Sequence, residues 1–235
     1  MRGEPPAVVR SSRVQSKGLR VVALADTHLF HDGLVVPDGD LLVHAGDLLQ
    51  HGSLDELARA AEFFGNHDVC LERSPAEARA LLEGFVYLQD SQAVIHDLVF
   101  HGAPWQPKFR IWAFGAKRGP ELASKWAKIP DHVDVLVTHG PPLGFGDRIQ
   151  LNGVERHVGC ADLLARVRQV KPRLHLFGHI HQDPGQWTAG PTRLANVTTN
   201  EGRAPLTVIE RSSICEPAPV QKETFGAAVD SGAAE

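Results

Sequence analysis

Four short apolar runs punctuate the chain: LRVVALA (Leu19–Ala25), DLLVHAG (Asp40–Gly46), VDVLVTHG (Val133–Gly140) and RLHLFGHI (Arg173–Ile180). Each is too short for a helix and rich in Val and Leu, so each predicts a buried strand. Ala93–Gly102 alternates only in part and predicts a hairpin strand, and Thr192–Thr199 and Pro205–Glu210 predict two late ones. Helical patterns lie between them. Ser53 and Glu56 stand at capping-box spacing, with Leu54, Leu57, Ala58 and Ala61 on one face. Ser74 and Glu77 repeat that spacing with Pro75 at the first helical position. Gly119–Ile129 and Gly159–Val170 are amphipathic at helical period. Strands alternating with helices predict an α/β fold, in a single domain over residues 19–210. The polar, aperiodic residues 1–18 and 211–235 read as tails.

Composition narrows the class. The 235 residues are 43% hydrophobic, enough for one sizeable core, and 22 Gly and 16 Pro imply many turns. A net charge of −4 gives no general nucleic-acid-binding surface. No apolar run approaches the ~18 residues of a membrane span, and the first 18 residues lack the apolar stretch of a signal peptide. Three cysteines without CxxC spacing fit free thiols in a reducing compartment, so a cytoplasmic location is expected.

The strand ends carry the chemistry. The first strand runs into Asp26-Thr27-His28, the second into Gly46-Asp47, the third into His139, and the fourth into Gly178-His179-Ile180-His181. Carboxyl ends of strands are where α/β sheets bind ligands. Residues i and i+2 of an extended segment point the same way, so the D-x-H and H-x-H pairs can each face one ion. A rim of solvated loop residues would not need Asp and His at paired spacings. Neither a nucleophile elbow (G-x-S-x-G), an H-E-x-x-H helix nor a P-loop is present.

Together with Gly65-Asn66-His67-Asp68, these motifs resemble, in order, those of the calcineurin-like metallophosphoesterases. The resemblance spans about Leu19 to Glu210. Tyr87–Ser91, Gly102–Phe109, Thr138–Asp147 and Val158–Cys160 are similar to its small metallophosphoesterase-domain-containing subgroup, which hydrolyses phosphodiesters including cyclic nucleotides. The resemblance implies a four-layer αββα sandwich of two mixed sheets flanked by helices. It also implies two divalent ions (Mn, Fe or Zn). Asp26, His28 and His181 would hold one, Asn66, His139 and His179 the other, and Asp47 would bridge them. A bridging hydroxide would attack the phosphorus, with His67 as the acid for the leaving oxygen. Two ions at about +4, against about −3 from two aspartates and the hydroxide, leave a site that attracts a phosphate ester. Asp68 would either orient His67 or form an exposed cap.

On the substrate side, Trp105, Lys108 and Phe109 offer aromatic faces and a cation for a nucleotide or another small phosphodiester. Trp112 and Phe114 either join them or simply pack. The chain departs from the family before Asn66: only 18 residues separate it from Asp47, with no β-branched run. Either AEFF (Ala61–Phe64) is a very short strand, or the strand that normally feeds this motif is missing. In the latter case the expected outcome is a weakly catalytic metal- and nucleotide-binding module.

Overall fold

A computed structural model describes residues 18–30, 33–51, 53, 68–82, 85–109 and 112–216. The anticipated helix of residues 53–64, the segment Ala61–Phe64, and Asn66 and His67 lie outside or almost wholly outside the described residues.

Two sheets face each other. In the smaller, β1 (Arg20–Leu24) lies between β2 (Leu41–His44), parallel to it, and β13 (Thr207–Glu210), antiparallel. The larger sheet contains β3 (Ser91–Ile95), β4 (Leu98–Ala103), β7 (Val135–Thr138), β10 (Leu174–Phe177), β11 (Gly185–Ala189) and β12 (Thr192–Asn196). Their order is β11-β12-β10-β7-β4-β3; the inner four strands run parallel and each edge strand is antiparallel to its neighbour.

Between the sheets lies a core that includes Val21, Ala23, Phe100, Val135, Leu176 and Ile209. Burial of each large apolar side chain there is worth about 1.5–3 kcal/mol. Over the outer face of the smaller sheet, Leu24, Leu48 and Leu49 pack with helices α1 (Val69–Arg73) and α2 (Pro75–Ala80). Over the larger sheet, Leu136 packs beneath α3 (Pro120–Trp126) and α4 (Ala161–Val170), chiefly through Leu122, Trp126, Leu163 and Val167. This is the four-layer αββα arrangement.

Several local expectations change. The run Ala93–Gly102 is a hairpin, β3 and β4, turning at His96 and Asp97 with positive φ. Ser74 does precede a helix that begins at Pro75, but its side chain makes no capping hydrogen bond. The domain extends past Glu210: α5 (Arg211–Cys215) puts Ile214 into the core between the sheets. Two small ribbons, β5 (Gln106–Pro107) with β6 (Gly115–Ala116) and β8 (Arg148–Leu151) with β9 (Val154–His157), complete the strands among the described residues. Among the described residues no helix is long and apolar enough to cross a membrane.

Candidate metal centre

The strands β1, β2, β7 and β10 all end at one rim of the sandwich, and the chain turns sharply there. Asp26, His28, Asp47 and His179 each adopt positive φ, a conformation that non-glycine residues rarely take and that concentrates at functional sites. Backbone bonds tie the strand ends in pairs: Asp26 N–H to Gly46 O (2.9 Å) within the smaller sheet, and Gly178 N–H to His139 O (2.9 Å) within the larger.

Gly178 joins the two sheets. A Cβ there would stand 2.4 Å from Ala25 Cβ and 2.6 Å from Asp26 Oδ2, so only glycine permits this approach. The closeness lets His179 N–H donate to Asp26 Oδ1 and Oδ2 at 3.0 and 2.9 Å.

Six of the seven expected metal ligands gather in two groups: Asp26, His28 and His181, and Asp47, His139 and His179. Within each group the candidate ligand atoms lie within 4.8 Å of one another. The seventh, Asn66, is outside the described residues, as is His67. Asp47 Oδ2 stands between the groups, 3.3 Å from His139 Nε2 and 3.9 Å from His28 Nε2.

Hydrogen bonds fix which imidazole nitrogens face inward. His28 Nδ1 lies 3.2 Å from Leu49 O and His139 Nδ1 3.0 Å from Ala45 O. A carbonyl only accepts, so both Nδ1 atoms carry protons, and Nε2 is the atom of each ring that could offer a lone pair to a cation. His139 Nε2 then meets His179 Nδ1 at 3.1 Å. Metal–nitrogen bonds of about 2.1 Å put neighbouring ligands about 3.0–3.4 Å apart, which is the spacing of these nitrogens and of Asp47.

The electrostatics agree. Burial opposes a charge on His139, but the Asp47 carboxylate holds its pKa up to about 9. Burial, aided by His139, pushes His179 down to about 4. The proton held on the first ring occupies the place where a cation would sit, and metal binding releases such protons.

Asp68 is fully buried, so the exposed-cap alternative fails. Its Oδ1 accepts the Leu49 N–H at 3.0 Å, and Leu49 O in turn holds His28. Asp68 therefore braces the loop that carries Asp47 and orients His28. Burial and the nearby Asp47 charge raise its carboxyl well above the usual range.

One contributor escaped the sequence reading. His44, at the end of β2, accepts the Gly46 N–H on Nδ1 (3.0 Å), so its Nε2 carries the proton toward Thr27 Oγ1 at 3.3 Å. It pins the Gly46-Asp47 turn to the D-T-H turn. Burial drives its pKa down to about 3 and keeps it neutral. The signal available was its place three residues before Asp47 inside an apolar strand.

The expected substrate-side residues divide. Trp105 Nε1 donates to Asp90 Oδ1 (2.7 Å), Lys125 Nζ lies 3.6 Å over its ring, and Phe114 packs edge-on against it. Phe114 is buried and Trp112 half-buried, as packing residues would be. Lys108 and Phe109 are exposed.

Residues 19–183 match the sequence profile of the calcineurin-like phosphoesterases. The chain belongs to that family. It is 35% identical to human metallophosphoesterase domain-containing protein 1 over 215 residues, covering 76% of this chain and 65% of the relative. It therefore spans just under two thirds of that relative's length. UPF0046 protein C25E10.12 of Caenorhabditis elegans is also 35% identical, over 76% of this chain and 74% of its own length. A solved crystal structure superposes at a TM-score of 0.56 with 15% identity, over 82% of this chain and 99% of its own, a likeness of fold alone. Within the calcineurin-like phosphoesterases the chain groups with the small metallophosphoesterase-domain-containing proteins.

Proposed function

We propose that the protein is a metal-dependent phosphoesterase with a dinuclear centre, acting on phosphodiesters of nucleotide type, cyclic nucleotides included. The observation that carries this reading is the position of Asp47 Oδ2 between two ligand groups, within 3.9 Å of a histidine from each. Asp26, His28 and His181 would hold one ion; His139 and His179 would hold the other with Asn66, and Asp47 would touch both. Carboxylate and imidazole ligands suit Mn, Fe or Zn.

Divalent ions bound there would supply Lewis acidity to the phosphoryl oxygens and bring the pKa of water toward neutrality. The chain's own residues do the rest. Asp47, Asp26 and four imidazoles would hold those ions, and through that placement set where the phosphate can lie. His67 is assigned proton donation to the leaving oxygen, and Asp68 steadies the segment that His67 directly precedes. Lys108 and Phe109 are assigned contacts with the phosphate and the base, and Trp105 holds their loop through Asp90.

A second reading is a metal- and nucleotide-binding module with weak turnover. What favours it is the short spacing, since only 18 residues separate Asp47 from Asn66. A parallel crossover alone needs a dozen or more residues before the next strand begins.

The test compares an aryl phosphodiester, an aryl phosphomonoester and cyclic nucleotides with Mn2+, Fe2+ or Zn2+ added. Metal-dependent turnover preferring the diesters is expected. Binding without turnover supports the module, and turnover that persists after chelation removes both readings.

A further inference from the structure

We infer that Asn196, which no ligand motif includes, is a positioning residue that serves both halves of the two-metal centre; the inference rests on the metal-binding reading above. Asn196 ends β12 and is buried. Its carboxamide nitrogen lies 2.8 Å from Ile180 O, 3.0 Å from Asp183 O and 3.1 Å from Gly146 O. Its Oδ1 accepts the Thr198 N–H at 3.2 Å. The two N–H groups of one side chain are thus shared among the carbonyls of three loop residues.

Two of those carbonyls, on Ile180 and Asp183, belong to the loop that carries His179 and His181. These histidines fall in different ligand groups, so one amide governs a ligand of each. The third carbonyl, on Gly146, anchors the loop that follows His139. Gly146 packs so closely that a Cβ would stand 3.0 Å from Asn196 Cβ and 2.9 Å from the Phe177 and Trp187 rings. Through Oδ1, Asn196 also sets the turn leading to Thr199, whose N–H and hydroxyl both bind Ala25 O just before Asp26. Asn196 touches no candidate ligand atom itself; it acts through the peptide groups that aim them.

The chemistry is specific to a carboxamide. Only an NH2 group donates in several directions while its partner oxygen accepts. An aspartate of the same shape would set a carboxylate against three carbonyl oxygens, and alanine would take this donor from all three, leaving Ile180 O only the long 3.5 Å bond from Asp183 N–H. Outer partners of metal ligands typically change metal affinity about 10- to 100-fold when replaced.

The experiment titrates Co2+ into the full chain and follows visible absorption and stoichiometry for the wild type, Asn196→Asp and Leu194→Ala. Leu194 is buried two residues earlier on β12 and makes none of these bonds, so its truncation lowers stability without touching the amide network. We expect Asn196→Asp to weaken both Co2+ sites by about 10- to 100-fold and to alter the spectrum. Leu194→Ala should lower Tm yet keep the wild-type spectrum.

Wild-type Co2+ affinity and spectrum in Asn196→Asp would overturn the role of Asn196 and leave the metal centre standing. A wild-type chain that binds no Co2+ overturns both. If the aspartate variant does not fold, the wild type reads the same point: the Asn196 side-chain NH2 resonances must move on adding Zn2+. Unmoved resonances overturn the proposal.

Discussion

Gly178→Ala tests how the two sheets meet. The added methyl would lie 2.4 Å from Ala25 Cβ and 2.6 Å from Asp26 Oδ2. Ordinary carbon contacts are about 3.5–4.0 Å, so the overlap exceeds about 1 Å and falls on groups fixed to β1 and its end. Asp26 cannot swing aside without losing the two bonds from His179 N–H. Relief therefore requires the sheets to part. That places the cost at the upper end of overpacking penalties, about 3 kcal/mol. For a domain of this size each kcal/mol shifts Tm by about 2–4 °C, so a drop of about 6–12 °C is expected. Because the parting separates Asp26 from His181, metal affinity should fall with it. Scanning calorimetry with and without Co2+ reads both quantities. Gly33→Ala serves as the control, since its Cβ would meet nothing within 4 Å and its φ is ordinary. A Gly178→Ala protein with Tm within about 1 °C of wild type, and unchanged Co2+ affinity, would refute the close junction.

Three further outcomes are expected. Asp68→Ala should weaken binding at the Asp26, His28 and His181 group by about tenfold through loss of the Leu49 brace, while Asp68→Asn, which keeps the accepting oxygen, should not; calorimetric titration with Mn2+ distinguishes them. His101 and His175 are buried under α3 and α4, and burial holds them down to about 4 and about 3. Their contribution to stability is complete above the unfolded value of about 6.5 and is lost as pH falls below it, by about 1.4 kcal/mol per unit for each. Urea unfolding of His175→Gln should therefore lose about 1.4 kcal/mol less than wild type between pH 7.5 and 5.5, and equal losses would count against a neutral buried ring. Removal of metal by a chelator should lower Tm, since ions at about 1,000 times their Kd stabilise the native state by about 4 kcal/mol each.

The sequence made the site legible for a physical reason. Asp26, His28, Asp47, His139, His179 and His181 follow runs of Val and Leu that could only be buried strands, so a change to Asp or His marked a strand end with a task. The same contrast was missing elsewhere. Hairpin β8–β9 is mostly exposed and has no apolar face, so periodicity was silent, although Asn152-Gly153, both with positive φ, is the turn pair that such hairpins favour. The short helix Arg211–Cys215 is recognisable only through Ile214 reaching the core. Asn196 sits in an apolar strand and looks from sequence like a strand-end turn residue; its three carbonyl partners come from segments 13 to 50 residues away, which no local pattern encodes. Asp68 read equally well as a surface cap because its acceptor role depends on Leu49, 19 residues earlier.

The most direct measurement is the metal content of the purified full chain beside Asp47→Ala, after equilibration with Mn2+ or Zn2+ and removal of unbound ion. The account predicts two ions per wild-type chain, and loss of at least one with weakened retention of the other in the variant, because Asp47 serves both groups. An Asp47→Ala protein that keeps two ions at wild-type affinity, or a wild-type chain that holds none, would contradict it.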